Sequence, residues 1–210
     1  MYNKIIFNCN FYHFLPHDAF YNTHFQNYHN KTFNIDPASF LNTLTNQLQK
    51  GSKILDIGCG SGRDLLWLKK KGFNPTGFER SPNLAELARQ NSGCPVMEGD
   101  FTIYDFSGLQ FDALLLIGAL VHLQYAEFAH VFFRISRALK SDGFIYLTLK
   151  EGTGKYSNGN GRIFTLWQLE HLEKIFRDHG FMVLNFSRDI SAVNSNDLWL
   201  GYLLLKEGNM

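Results

Sequence analysis

The chain has 210 residues, 45% of them hydrophobic, and a formal net charge of +1. That size and apolar content support one domain with a substantial core. The near-neutral balance excludes a strong electrostatic field for nucleic acid or membrane surfaces. The three cysteines, Cys9, Cys59 and Cys94, are too few and too scattered for a disulfide frame or a zinc site, and they fit a reduced, cytoplasmic compartment. No apolar run reaches the ~18–20 residues of a membrane span. The N-terminus has no positive-then-apolar signal pattern. No internal repeat or low-complexity segment is visible.

Residues 1–35 are rich in aromatics: Phe7, Phe11, Tyr12, Phe14, Phe20, Tyr21, Phe25, Tyr28 and Phe33. This is too aromatic for a disordered tail. Tyr21, Phe25, Tyr28 and Thr32 fall at helical spacing and predict one shared helical face. That face either packs on the rest of the domain or covers a ligand site. Asp36-Pro37 predicts a helix start, with Asp36 as N-cap and Pro37 at the first helical position. Phe40, Leu41, Leu44 and Leu48 make its apolar stripe, and Gly51 ends it.

The stretch Lys53-Ile-Leu-Asp-Ile-Gly-Cys-Gly-Ser-Gly-Arg-Asp64 reads as a buried strand, a glycine-rich turn and a helix start. Glycines let the backbone take positive φ and let a ligand approach the main chain. The helix that follows offers free N–H groups and a positive dipole end. The dinucleotide fingerprint needs glycine at its first, third and sixth positions. Here Arg63 holds the sixth, and the pattern is G-x-G-x-G. Asp56, just before it, suits a ligand carrying an ammonium group better than a pyrophosphate. This stretch resembles motif I of the class I methyltransferases that use S-adenosylmethionine (SAM). The resemblance implies that the loop lies along the amino-acid portion and ribose of SAM. Arg63 could hold the SAM carboxylate or an anionic substrate group, or be a surface helix residue. The Tyr21–Thr32 run is similar to the N-terminal lid helix of small-molecule members of that family.

Lys69-Lys70-Lys71 falls at the end of the next helix, where lysines favour the negative dipole end, and Gly72 closes it. Asn74 to Phe78 predict a second strand ending at Glu79. A carboxylate there can accept hydrogen bonds from two vicinal ribose hydroxyls, or be an exposed loop acid. Ser81-Pro82 caps a helix with Leu84, Leu87 and Ala88 inward. Cys94 to Glu98 predict a third strand. Asp100-Phe101 after it resembles the family's adenine site, although Asp100 could instead cap a turn. Asp105 reads as a turn residue. Phe111 to Ile117 predict a central parallel strand buried on both faces. Gly118 to His122 follow at its carboxyl end, where open α/β sheets bind ligands. His122 is therefore a candidate general base or substrate contact, the alternative being a structural histidine.

Tyr125 to Leu139 predict an amphipathic helix with Phe128, Val131, Phe132, Ile135 and Leu139 on one face. The Arg137–Gly143 turn and the strand Phe144 to Leu149 resemble the family's fifth-strand entry, with Ser141-Asp142 replacing Pro-Gly. Glu151 to Gly161 read as a mobile loop. Lys150, Tyr156 and Arg162, with Tyr21, are candidate substrate contacts, the alternative for the first three being solvated surface. Thr165 to Gln168 predict a capping box, with Phe164 and Leu169 as its hydrophobic staple. Leu169, Leu172, Ile175 and Phe176 face inward, and Gly180 ends the helix. Phe181 to Ser187 and Leu198 to Leu205 predict two strands in antiparallel pairing.

The expected architecture is α/β: a Rossmann-like three-layer sandwich with a seven-stranded, mostly parallel sheet and an antiparallel C-terminal strand. Residues 1–35 form an aromatic helical lid and 36–210 the methyltransferase domain. The resemblance implies Tyr28, Asp56, Gly58, Cys59, Gly60, Arg63, Glu79, Arg80, Asp100, Phe101, Ile117 and Gly118 as the SAM-binding set, with no metal. It implies in-line methyl transfer to a small-molecule acceptor, in which positioning supplies ~7–11 kcal/mol of the barrier. The alternatives are a non-catalytic SAM-binding scaffold and, less favoured, an NAD(P)-dependent oxidoreductase. The Asn/Asp-Pro-Pro-aromatic sequence of base amino-methylases is missing after the fourth strand, so nucleic acid is not an expected partner. A monomer or homodimer is expected.

Overall fold

The computed structural model describes residues 16–157, 159, 161–194 and 196–208, with backbone alone for 16–19. Cys9 and the aromatics Phe7, Phe11, Tyr12 and Phe14 lie outside the described residues. The helices are α1 (Pro16–Thr23), α2 (Phe25–Thr32), α3 (Ala38–Thr45), α4 (Arg63–Lys70), α5 (Pro82–Ser92), α6 (Tyr125–Ser136) and α7 (Leu169–Asp178). The strands are β1 (Lys53–Ile57), β2 (Asn74–Glu79), β3 (Val96–Glu98), β4 (Phe111–Ile117), β5 (Leu139–Lys150), β6 (Lys155–Ser157), β7 (Ile163–Thr165), β8 (Phe181–Ile190) and β9 (Leu198–Lys206).

Seven strands make one sheet in the order β3-β2-β1-β4-β5-β9-β8, and β6 pairs with β7 apart from it. β1 runs parallel to β2 and β4, as do β2 to β3 and β4 to β5. β9 is antiparallel to both β5 and β8, so it alone runs against the sheet. This is the expected three-layer architecture. Strand β4 shows why it holds together. Ala113 and Leu115 point into a core with Leu41, Leu44 and Leu68, whereas Leu114 and Leu116 point into a core with Phe128, Phe132 and Phe176. Both faces are therefore covered by helices, and each fully buried Leu stabilises by about 1.5–3 kcal/mol.

Several local expectations shift. The aromatic N-terminal helix is two helices broken at His24, whose φ of −106° and ψ of 22° leave the helical range. Asp36 still caps α3, its carboxylate accepting the Ala38 N–H at 3.0 Å, but the helix begins after Pro37. On α5 the buried face is Leu84, Ala85 and Ala88, with Leu87 only partly covered. α6 stops at Ser136, and Leu139 opens β5 opposite Phe111 instead of closing the helix. The early start of β5 contains Asp142 at φ 57°, beside an irregular register between Phe111 and Ala113. The capping box does not form: Thr165 lies in β7 with its N–H donating to Val121 O, and Gln168 caps α7 without a side-chain bond. The glycine-rich segment after Glu151 carries β6, which pairs with β7 as a short hairpin.

Candidate active site

A cavity of about 530 Å³ opens outside the carboxyl ends of β1, β2 and β4. That volume lies within the roughly 300–1,000 Å³ typical of small-molecule sites. Gly58 and Gly60 from the first turn, Glu79 and Arg80 from the end of β2, and Ile117 and Gly118 from the end of β4 all line it. The aromatic helices close one side through Tyr21 and Tyr28.

The first turn needs its glycines. Gly62 has φ 85°, and a Cβ there would stand 2.8 Å from the Ala88 backbone of α5. Gly60 has φ 56°, and a Cβ there would meet the Tyr28 ring. Positive φ strains other residues, and here added bulk would also push neighbours apart. Glu79 reinforces the turn from below. Its Oε2 accepts the Gly60 N–H, and its Oε1 accepts the N–H groups of Arg80 and Ser81, all at 2.9 Å. Burial raises the Glu79 carboxyl above its ordinary range, and the backbone N–H groups of Ser81, Gly60 and Arg80 oppose that rise. A carboxylate offers about four lone-pair positions, and three are taken by backbone. Glu79 therefore presents one free acceptor position, where the sequence suggested a fork for two hydroxyls.

Asp56, at 2% exposure, has an Oδ2 with no hydrogen-bond partner among the described residues. Burial pushes its carboxyl well up, and the nearby Asp64 carboxylate pushes it further. Asp64 itself is held by Arg63 through a two-bond contact of 2.7 and 3.0 Å. Arg63 also reaches Thr32 O at the end of α2 and lies over the Phe40 ring. Its guanidinium thus ties the aromatic helices to the first turn and does not line the cavity. Cys59 turns inward instead, into a small core with Leu65, Ala88 and Cys94. Burial pushes its thiol up, and both cysteines are free.

At the third strand end, Phe101 and Thr102 line the cavity. Asp100 stands behind them. Its Oδ1 accepts the Thr102 N–H and hydroxyl, and its Oδ2 pairs with Arg80 at 3.2 Å. It makes the turn that the sequence allowed as the alternative.

His122 lines the cavity, and its Nε2 lies 3.0 Å from the Tyr21 hydroxyl. Arg162 reaches Tyr21 as well, lying over the rings of Phe20, Tyr21 and Phe164. Lys150 is elsewhere: it is 5% exposed, pairs with Asp197 at 2.5 Å and sits 4.2 Å over the Phe164 ring. Tyr156, 40% exposed, stacks on Phe164 from the hairpin. Neither faces the cavity. Sequence reasoning missed Asn22, whose Oδ1 accepts the Ser81 hydroxyl and whose carbonyl accepts from Asn83, docking α1 on the start of α5. It also missed the wall that α6 supplies through Glu127 and His130. The polar side of that helix was visible as a stripe opposite Phe128 and Phe132.

Residues 54–143 match the model of a methyltransferase domain family. That stretch, about two fifths of the chain, is similar to a methyltransferase domain. A putative methyltransferase of Geobacillus is 29% identical over 46% of this chain and 42% of its own length. A sterol 24-C-methyltransferase of Yarrowia lipolytica is 31% identical over 54% of this chain and 31% of its own. The chain spans less than half the length of these curated relatives. Among solved structures, the 1,6-didemethyltoxoflavin-N1-methyltransferase of Burkholderia thailandensis superposes with a TM-score of 0.73 at 21% identity, covering 91% of this chain and 88% of that one. That enzyme was crystallised with 1,6-didemethyltoxoflavin and S-adenosylhomocysteine (SAH). That likeness is one of fold and takes in more of the chain than residues 54–143. Among the described residues no helix is long and apolar enough to cross a membrane, and no cluster of potential metal ligands occurs.

Proposed function

We propose that this chain is a SAM-dependent methyltransferase acting on a small-molecule acceptor. One observation carries the reading: the glycine turn, the Glu79 carboxylate and the Tyr28 ring converge on one cavity at the carboxyl edge of β1, β2 and β4. The residues present fit SAM. The partnerless Asp56 Oδ2 suits a cationic amine, because a buried carboxylate regains stability from an opposite charge. Glu79 keeps an acceptor position for a sugar hydroxyl, and Phe101 offers a flat apolar face for a base. When bound, SAM supplies a methyl group made electrophilic by its sulfonium. The chain's residues orient the reactants and exclude water, which accounts for most of such an acceleration.

Within this reading Tyr28, Gly58, Gly60, Glu79, Arg80, Phe101, Ile117 and Gly118 contact the cofactor. Asp56 answers its charge, and Arg63, Cys59 and Asp100 shape the turns. Residues 16–35 act as a lid over a domain that begins at residue 36. The acceptor enters beside Tyr21 and His122. We place the protein in the cytoplasm as a monomer or homodimer without a nucleic-acid partner. Free Cys59 and Cys94 and the net charge of +1 support this.

Thermal shift tests the reading. SAM and SAH should each raise the melting temperature, by about 2.7 kcal/mol of added stability at a hundredfold excess over Kd. NADH should leave it unchanged. Stabilisation by NADH alone would overturn the proposal. Cofactor binding without transfer of a labelled methyl to any metabolite would make the chain a binding protein instead.

A further inference from the structure

His122 has both ring nitrogens engaged within the protein. Nδ1 lies 2.6 Å from Ile163 O and Nε2 lies 3.0 Å from Tyr21 Oη. A carbonyl can only accept, so Nδ1 of the neutral ring carries the proton and Nε2 is the acceptor. The Tyr21 hydroxyl therefore donates to Nε2. The imidazole that the sequence nominated as base is covered by a phenol. Both side chains line the cavity, and the Tyr21 oxygen, which also accepts from Arg162, keeps one further lone-pair position for a bound acceptor.

Four groups face Tyr21. His122 comes from the turn after β4, Arg162 from the segment before β7, Tyr28 from α2 and Glu79 from the end of β2. We propose that Tyr21 and His122 form a proton relay serving an acceptor with a weakly acidic O–H or N–H, with Tyr21 as the group that touches it. This inference rests on the methyltransferase reading and names its substrate class. Burial raises the Tyr21 phenol, and Arg162 opposes that rise, so at neutral pH the residue enters the reaction as a neutral hydroxyl.

The balance is simple. The acceptor's lone pair forms the new bond to the methyl carbon, and the pair of the breaking S–C bond stays on sulfur. The acceptor proton moves to Tyr21 Oη while the Tyr21 proton moves to His122 Nε2. The resulting imidazolium keeps its Nδ1–H on Ile163 O. It returns its proton to solvent after product leaves. Tyr21 is thus the catalytic residue and His122 the group that acts through it.

Two probe acceptors test this: phenol, protonated at neutral pH, and pentafluorophenol, already ionised there. SAH binding is measured in parallel on wild type, Tyr21→Phe and His122→Gln. The relay predicts that both variants bind SAH and lose ~10²–10⁴-fold in kcat/KM for phenol, the usual size of general-base assistance. For pentafluorophenol the loss should be at least tenfold smaller. Wild-type phenol turnover should rise with pH through a single ionisation that His122→Gln removes. Equal losses for both probes, or a wild type that binds SAH yet does not methylate phenol, would overturn the relay alone. Failure of the wild type to bind SAH would remove the methyltransferase reading itself.

Discussion

Tyr28 rests on Gly60: a Cβ at Gly60 would stand 3.2 Å from the Tyr28 Cε1 atom. Helix α2 and the first turn are therefore fitted closely to each other, and a side chain at Gly60 would have to displace the Tyr28 ring. Gly60→Leu places a branched residue at φ 56° and drives the ring outward. The expected result is SAH affinity reduced about 100-fold, roughly 2.7 kcal/mol, with circular dichroism unchanged.

The acids beneath the turn set a pH dependence. Burial raises both Asp56 and Glu79, so the folded chain holds their protons more tightly than the unfolded chain. Their contribution to stability is full below the ordinary carboxylate range, about pH 4, and falls as pH rises through the elevated values. Asp56→Asn removes a buried charge whose Oδ2 has no partner. The Asn amide would still be unpartnered but carries no charge for Asp64 to repel, so denaturant melts at pH 7 should show a gain in stability. The decline in stability from acid to neutral pH should flatten, while SAM binding weakens. Unchanged stability and unchanged binding would remove Asp56 from the account.

Lys150 is a structural residue in this fold. It joins β5 to the turn before β9 through Asp197 and lies over Phe164 of the hairpin. Breaking a buried pair from one side is strongly destabilising, and the 19% exposure of the Asp197 side chain places this case at the low end, about 3 kcal/mol for Lys150→Ala. Lys150→Met should recover part of that by filling the same space. Urea melts of the two variants provide the check.

Asn22 fastens α1 to the start of α5, beside Glu79. Asn22→Ala deletes the side-chain bond to Ser81, worth about 0.5–1.5 kcal/mol. Helix α1 should detach more often, and stopped-flow SAH release should accelerate up to about tenfold, since 1.4 kcal/mol is a factor of ten. An unaltered release rate would mean that α1 does not gate the cavity.

Much of this was legible in the residues because the signals were local. Lys53–Ile57 and Phe111–Ile117 are short apolar runs bounded by turn residues, and the strands occupy those spans. Ser81-Pro82 is a cap whose hydroxyl accepts the Leu84 N–H as the pattern implies. What the chain concealed is long-range. Lys150 looks solvated until Asp197, 47 residues later, closes on it. Thr165 and Gln168 carry the letters of a capping box, but the pairing of β7 with β6 takes Thr165 first. Glu79 was placed correctly at its strand end, yet the count of backbone N–H groups on its oxygens depends on how the turns fold back. Leu139 fits the helical stripe of α6, and its pairing with Phe111 draws it into β5.

The central claim is that the glycine turn and Glu79 hold a sulfonium nucleoside in the cavity beneath Tyr28. Calorimetric titration of SAM into wild type and Glu79→Ala measures it most directly. The account predicts a single site per chain in the wild type, and at least about tenfold weaker binding once the carboxylate that braces Gly60 is gone. Equal affinity in the two proteins, or no heat of binding in the wild type, would contradict it.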